Sequence, residues 1–313
     1  MKVLSLFDGI SCGMVALERA GIPVGEYHAY EIDKYAIQVS EKNYPQIVHH
    51  GNVFEGDFTQ YKGFGLLVGG SPCVYWSISK RNRETTPDGA GGQLFVQYVR
   101  ALRESGCKYF LYENNNSIHK DIKDFISEQL GVQPIMINSA LVSAQQRKRC
   151  YWTNIPNVTQ PVDKGILMKD ILESGQSWVD KSYCLTASYD GAIFWNTLQR
   201  KQRTMVAEPI RLGHIGKSNG QANRVYSIEG KSVCLQAQAG GGGAKTGLYK
   251  IDLPDGDYTI RKLTPVEAER LQTLPDNYTE GISKAQRYKC VGNGWTVDVI
   301  AHILSFIPEE DIK

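Results

Sequence analysis

No apolar run in the 313 residues comes near the roughly 18–20 side chains that crossing a bilayer requires, and the opening MKVLSLF stops at Asp8, too short for a signal-peptide core. The expectation is a soluble, cytoplasmic chain. Metal-ligand spacing is missing too. The seven cysteines, at 12, 73, 107, 150, 184, 234 and 290, form no CxxC or Cys/His grouping, and their odd number fits reduced thiols better than a disulfide framework. Nor does one sign of charge dominate: 35 Lys plus Arg against 33 Asp plus Glu leave +2, which excludes a chain coated in positive charge but not a local basic face. What remains is a globular composition, 42% hydrophobic and 22% charged, in a length that holds one large or two modest domains.

The first 150 residues alternate short apolar runs with helical patterns, the signature of βαβ units and a mostly parallel sheet. KVLSLF, GEYHAYEID, FGLLVGGSPC and KYFLYENNNS read as strands. MVALERAGI, YAIQVSEKNY and KDIKDFISEQLG read as helices, the last with Gly131 as C-cap, and PIMINSALV with RKRCYWTNI reads as a strand pair. From about 156 the periodicity fades and Gly, Asn, Ser and Gln rise. This stretch holds an internal echo, KSYCLTA at 181–187 and KSVCLQA at 231–237, expected to form two related strand-and-turn pieces, and a glycine hinge AGGGGAKTG. Between 178 and 262 lie twelve Lys plus Arg and seven Asp plus Glu, so positive charge gathers in the irregular middle, as either a phosphate-facing surface or a solvated loop region. Regularity returns at LTPVEAERLQTLP, where Thr264, Pro265 and Glu267 make a capping-box start, and again in a helix through TVDVIAHILSFI. The simplest arrangement packs this C-terminal segment back on the first region.

Several strand ends carry chemistry. Gly9 and Gly13 after the first strand, with Glu31 at the end of the next, suit a nucleotide-type ligand at the switch of an open sheet. The spacing is not GxGxxG, and Asp8 in the turn would repel a pyrophosphate, so the alternatives are a ligand without phosphates or a simple tight turn. Cys73 in GGSPC lies at the same edge. It is either a small core residue or a nucleophile, and a free thiol is only about 3% ionised at pH 7, so the second role needs nearby cations. Glu113 in YENN is either a turn carboxylate or a proton donor, which requires burial or a bond to its neutral form. Arg147 and Arg149 in QQRKR are two apart on a strand and share a face, as a surface ion-pair site or as ligands of a carbonyl or phosphate oxygen.

The ordered set LSLFDGISCGMVALERAG, YEID, GGSPC, YENN, QQRKR, LTPVEAERLQTLPDNY and CVGNGWTVDVI resembles the successive motifs of the DNA cytosine-5 methyltransferase family, from residue 3 to about 303, with only the middle unmatched. The resemblance implies a Rossmann-like α/β domain dependent on S-adenosylmethionine, formed by 1–155 plus 262–313, with a small, irregular, β-rich target-recognition domain inserted at 156–261. It implies that Cys73 attacks C6 of a flipped cytosine, Glu113 holds cytosine N3, and Arg149 with Arg147 contacts the base carbonyl and helps hold the thiolate; no metal is required. The cofactor pocket implied comprises Phe7 on the adenine, Asp8, Gly9 and Gly13 along the methionine arm, Glu31 on the ribose, then Ile32, Asn52, Val53, Pro72, Leu94, Asn293, Gly294 and Trp295. Asn52 and Trp295 depart from the usual family residues.

Chemistry at C5 requires extruding the base from the duplex and closing a loop over it. Residues 74–93 have the aromatics, cations and glycine hinges for such a lid. Val74 stands where the family usually has Gln and cannot hydrogen-bond the orphaned guanine, so another residue should fill that gap. Ser77, Lys80, Arg81 and Arg83 of this loop, and Arg200, Lys201, Arg203, Lys217, Asn219 and Arg224 of the middle region, are the expected contacts to double-stranded DNA. The chain is expected to be a monomer. Two competing readings are a tRNA cytosine-5 methyltransferase, disfavoured by the lack of a Cys-Phe-Thr signature, and an inactive DNA-binding relative, disfavoured by the presence of Cys73, Glu113 and Arg149.

Overall fold

The computed structural model describes residues 1–77, 82–209 and 258–312. Among these, the central element is a seven-stranded sheet of order β3-β2-β1-β4-β5-β7-β6. Its strands are β1 (Lys2–Leu6), β2 (Glu26–Tyr30), β3 (Val48–His49), β4 (Leu66–Gly69), β5 (Tyr109–Asn115), β6 (Ile135–Asn138) and β7 (Lys148–Thr153). β1 to β5 pair in parallel, whereas β7 runs antiparallel to both β5 and β6. This is the mostly parallel α/β sheet expected from the sequence.

Side chains alternate across each strand, and both faces are covered. Val3, Val68 and Leu111 enter one core with α1 (Cys12–Arg19), α2 (Lys34–Asn43) and the C-terminal α9 (Val297–Leu304). Leu4, Leu6, Leu67, Phe110 and Tyr112 enter the other, with α3 (Ala90–Ser105) and α4 (Lys120–Leu130). Burial on both sides is why these strands read as unbroken apolar runs rather than alternating ones. α4 ends as expected at Gly131, whose φ of 69° is open to glycine at no steric cost.

Register levels the strand ends. Leu6 pairs with Tyr30 and with Gly69, and Gly69 with Tyr112, so Phe7, Glu31 and Gly70 leave the sheet at one rim, level with Glu113, which stays in β5 and pairs with Tyr151. Strand order reverses there between β1 and β4, the place where open sheets leave a ligand crevice.

The C-terminal segment packs on the first region. Helix α7 (Pro265–Leu271) opens with the expected box: Thr264 Oγ1 accepts from the Glu267 amide at 3.1 Å, and Glu267 Oε2 accepts from the Thr264 amide at 2.8 Å. Asp298 at the start of α9 pairs with Arg19 of α1 at 2.6 Å. Between 156 and 209 are two short helices, α5 (Met168–Ile171) and α6 (Phe194–Arg200), and β8 (Met205–Pro209), which pairs antiparallel with β9 (Tyr258–Lys262). Lys181 ties this stretch to the first region by donating to the carbonyls of Ala140 at 2.7 Å and Ser143 at 3.1 Å, and it also donates to Ile166 within the stretch at 2.6 Å.

Five points of the sequence reading need correction. α1 starts at Cys12, two residues before the predicted Met14, because Ser11 takes a left-handed conformation and releases the chain into helix early. The helix α8 (Lys284–Asn293) was not foreseen; it runs through CVGN and stops at Gly294. The echo at 181–187 makes only one bridge, Gln145 to Ser182, instead of a strand, and its second copy and the glycine hinge lie outside the described residues. Gly91 and Gly92 are not lid hinges but the first turn of α3. A Cβ on Gly91 would lie 2.4 Å from Trp76 Nε1, and one on Gly92 would lie 1.6 Å from the Pro87 carbonyl oxygen. These glycines allow close packing. Trp76, expected as a lid aromatic, is fully buried and donates to Glu84 at 3.1 Å.

Gly92→Ala should therefore destabilise the protein by about 1–3 kcal/mol, the usual cost of forcing atoms into a packed site. Urea unfolding of the variant beside wild type measures it; an unchanged midpoint would restore the hinge reading.

Candidate active site

At the rim, the turn after β1 is held by its own acid. Asp8 accepts hydrogen bonds from Ser5 Oγ at 2.6 Å, Ser11 Oγ at 2.5 Å and Tyr27 Oη at 2.6 Å. This frees the Gly9 amide to donate to Glu31 Oε2 at 2.8 Å, while Glu31 Oε1 accepts from the Ile32 and Asp33 amides at 2.8 Å each. Burial pushes the Glu31 carboxyl up, against the pull of those three amides. Tyr27 also limits Gly13, where a Cβ would sit 2.8 Å from its hydroxyl.

One cavity of about 270 Å³ joins this turn to the other strand ends. Of the residues expected to bind cofactor, Phe7, Asp8, Gly9, Glu31, Pro72, Asn293, Gly294 and Trp295 line it, as do all four expected catalytic residues, Cys73, Glu113, Arg147 and Arg149. Gly13, Ile32, Asn52, Val53 and Leu94 are not in its wall. Ile32 is 76% exposed, Val53 is buried in the second core, and Leu94 packs against that same core. Asn52 accepts from the Phe54 amide at 3.1 Å and caps a single turn over Val53–Glu55.

β7 runs opposite to β5, so it begins where β5 ends and carries Arg149 to Glu113. Arg149 Nε lies 2.9 Å from Glu113 Oε1, and the two side chains are only 12% exposed each. Glu113 Oε2 accepts from the Trp295 indole at 3.1 Å. Cys73 opens a single turn after Pro72, at the end of β4. Burial pushes its thiol up; Arg149 and, more weakly, Arg147 oppose this, and Glu113 adds to it. Two other thiols in the wall, Cys12 and Cys290, are each pushed up to about 12 by burial.

The two arginines are not equivalent. Arg147 gives its guanidinium to the protein: to the Leu185 carbonyl at 2.9 Å, Gly292 at 3.3 Å and Gly294 at 3.0 Å. It joins the 182–187 segment to the end of α8. Arg149 is the one of the pair at the carboxylate. Both donate to Cys184 Sγ, Arg147 at 3.6 Å and Arg149 at 3.8 Å. Burial raises that thiol, but the two guanidiniums outweigh it and hold Cys184 below the ordinary thiol range. Sequence reasoning noticed Cys184 only through the KSxCLxA echo and gave it no role.

Among the expected DNA contacts, Arg200 and Lys201 are exposed at the end of α6. Arg83 donates to the Ser117 carbonyl at 2.7 Å, and Arg203 to Gly191 O at 2.7 Å and Ser188 Oγ at 3.0 Å, so both tether loops. Ser77 is half-buried just after the Cys73 turn. Lys80, Arg81, Lys217, Asn219 and Arg224 lie outside the described residues. Among the described residues no group of three or more His, Cys, Asp or Glu is placed to hold a metal ion, and no helix is long and apolar enough to cross a membrane.

The family model for C-5 cytosine-specific DNA methylases matches residues 1–309. The chain belongs to that family. This methylase is 28% identical to the type II methyltransferase M.HhaI of Haemophilus parahaemolyticus, over 97% of the chain and 93% of the relative. It is 26% identical to M.NlaX of Neisseria lactamica, over 96% and 94%. Among solved structures, the Entamoeba histolytica methyltransferase EhMeth superposes with a TM-score of 0.67 at 16% identity, covering 98% of this chain and 97% of that one. A Spodoptera frugiperda DNMT2 variant gives 0.65 at 18%, covering 97% and 98%. These structural likenesses show the shared fold.

The opposed pKa directions give a test. Alkylation by iodoacetamide, mapped by mass spectrometry across pH, should reach half its limiting rate below the ordinary thiol range at Cys184 and above it at Cys73. Arg149→Gln should move both midpoints up, since it removes the cation that favours each thiolate. A Cys73 midpoint below that of Cys184 would contradict the geometry.

Proposed function

We propose that this methylase transfers a methyl group from S-adenosylmethionine to C5 of a cytosine extruded from double-stranded DNA. The observation that carries the reading is the convergence of Cys73, Glu113 and Arg149 in one desolvated wall, with Arg149 bonded to the carboxylate and electrostatically coupled to the thiol. The cavity suits a cationic ligand without phosphates: four carboxylates, Asp8, Glu31, Asp33 and Glu113, line it against two guanidiniums, Arg147 and Arg149. Gly9, at φ +61°, has nothing within 4 Å of where a Cβ would project, which leaves room for a ligand against the backbone. Bound S-adenosylmethionine supplies the methyl group.

The chain's own residues do the rest. Cys73 Sγ bonds to C6 of the base as its thiolate, giving an electron pair to the ring. Glu113 holds a proton at N3, so the ring accepts that pair and C5 becomes nucleophilic. Arg149 neutralises the carboxylate before the reaction and favours the thiolate during it. After transfer, loss of the C5 proton and elimination of Cys73 return the aromatic ring and the free thiol. Arg147 keeps the 182–187 segment and the 292–294 turn in place around these groups. In this reading residues 156–261 form the target-recognition region, with exposed Arg200 and Lys201 facing phosphates or base edges.

The test is a duplex containing 5-fluorocytosine, which lacks the C5 proton needed for release. Incubated with the protein and S-adenosylmethionine, it should give a denaturation-resistant adduct with wild type and none with Cys73→Ala, which should still bind DNA. Methylation of ordinary duplex should fall below detection in Cys73→Ala and at least about 100-fold in Glu113→Gln. Transfer to tRNA in place of DNA, or an adduct that survives loss of Cys73, would overturn the proposal.

A further inference from the structure

We propose that Trp295 is a positioning residue for Glu113: its indole N–H fixes the orientation of the carboxylate, a role that rests on Glu113 serving the reaction proposed above. Three observations support it. The indole donates to Glu113 Oε2 at 3.1 Å, while Arg149 takes the other oxygen at 2.9 Å, so neither carboxylate oxygen is left to rotate freely. Gly70 closes the space behind them; a Cβ there would lie 2.9 Å from the Glu113 carbonyl oxygen, 3.1 Å from Oε2 and 3.5 Å from the indole nitrogen. The backbone carrying Trp295 is itself clamped, since the Gly294 carbonyl accepts from both Arg147 and Gln272 at 3.0 Å, and Thr296 Oγ1 donates to Gln272 Oε1 at 2.8 Å.

The same ring lines the cavity and stands 3.7 Å from where a Gly13 Cβ would project, so it joins the cofactor side of the pocket to the catalytic carboxylate. With both oxygens engaged, the carboxylate is presented to the base in a single orientation. The groups that interact electrostatically with Glu113 include Arg149 and Cys73, with Tyr112, Cys150 and Tyr151 on β5 and β7 each pushed up by burial.

Trp295→Phe keeps the ring and removes the donor. Single-turnover methyl transfer to duplex DNA, at saturating S-adenosylmethionine, should slow by about 2–10-fold, the loss expected for one hydrogen bond, while the dissociation constant for DNA stays near that of wild type. In a ¹H–¹⁵N spectrum the indole signal of Trp295, identified among the five tryptophans by its loss in Trp295→Phe, should shift in Glu113→Gln, which replaces its carboxylate acceptor. A single-turnover rate equal to wild type, or an indole signal indifferent to Glu113→Gln, overturns the positioning role. Full methylation by Glu113→Gln instead overturns the reaction assignment beneath it, whatever the indole signal does.

Discussion

The site depends on one reversed strand. Five parallel strands deliver their C-terminal ends to a common rim, and a sixth parallel strand would deliver only another end. β7 runs the other way, so its first residues arrive where the others finish, and Arg149 meets Glu113 at 2.9 Å. A parallel β7 would place that arginine at the opposite edge of the sheet, several residues of strand rise away. Without it Glu113 would be a buried carboxylate with no cationic partner, which is strongly unfavourable. The antiparallel insertion is thus a condition for the charge pair, and the charge pair is a condition for placing a second titratable group, Cys73, in the same desolvated wall.

That wall has a balanced charge. Arg149 and Glu113 cancel, and burial keeps Cys73 protonated at rest. In the proposed reaction, the thiol ionises while the carboxyl group holds a proton. Moving one proton from sulfur to carboxylate gives that state with no change in total charge: the cation remains, and the anion is now on sulfur. Arg149 is coupled to both groups, so it stabilises the anion on either side of the exchange. A site with a low effective dielectric constant tolerates such a swap far better than it tolerates creating a new charge.

Much of this was legible in the sequence, and the parts that were not have physical reasons. β1, β4 and β5 stood out because a sheet covered on both faces leaves continuous apolar runs, and the chemical residues follow those runs, past the ends of β1 and β4 and, for Glu113, within the C-terminal part of β5. α3 was hidden because Gly91 and Gly92 resemble a hinge; only the positions of Trp76 and Pro87 reveal that a side chain there would collide. α8 was hidden because KAQRYKC has little apolar periodicity and takes its stability from packing against α7 and neighbouring segments. Arg147 and Arg149 looked alike two residues apart. They differ because the carbonyls that occupy Arg147 come from residues 185, 292 and 294, a juxtaposition that no local pattern encodes.

Those carbonyls also bind the segment beyond β7 to the catalytic wall. Leu185 accepts from Arg147 through its carbonyl and donates to Gln145 Oε1 through its amide at 2.7 Å. Gln145 passes to Gln272 at 3.2 Å, and Gln272 to the Gly294 carbonyl, one residue before Trp295. The next residue back, Cys184, contacts both guanidiniums. Every link is buried or nearly so, and a buried polar group that loses its partner costs about 1–3 kcal/mol. Displacement of residues 184–185 therefore cannot stay local: it would unpair Arg147, release one donor of Arg149 and loosen the turn that carries the indole. The stretch read as the beginning of target recognition is held in register with the carboxylate by the same bonds that hold the carboxylate in register with the thiol, so a recognition surface moved by its DNA has a direct mechanical path to the reacting groups.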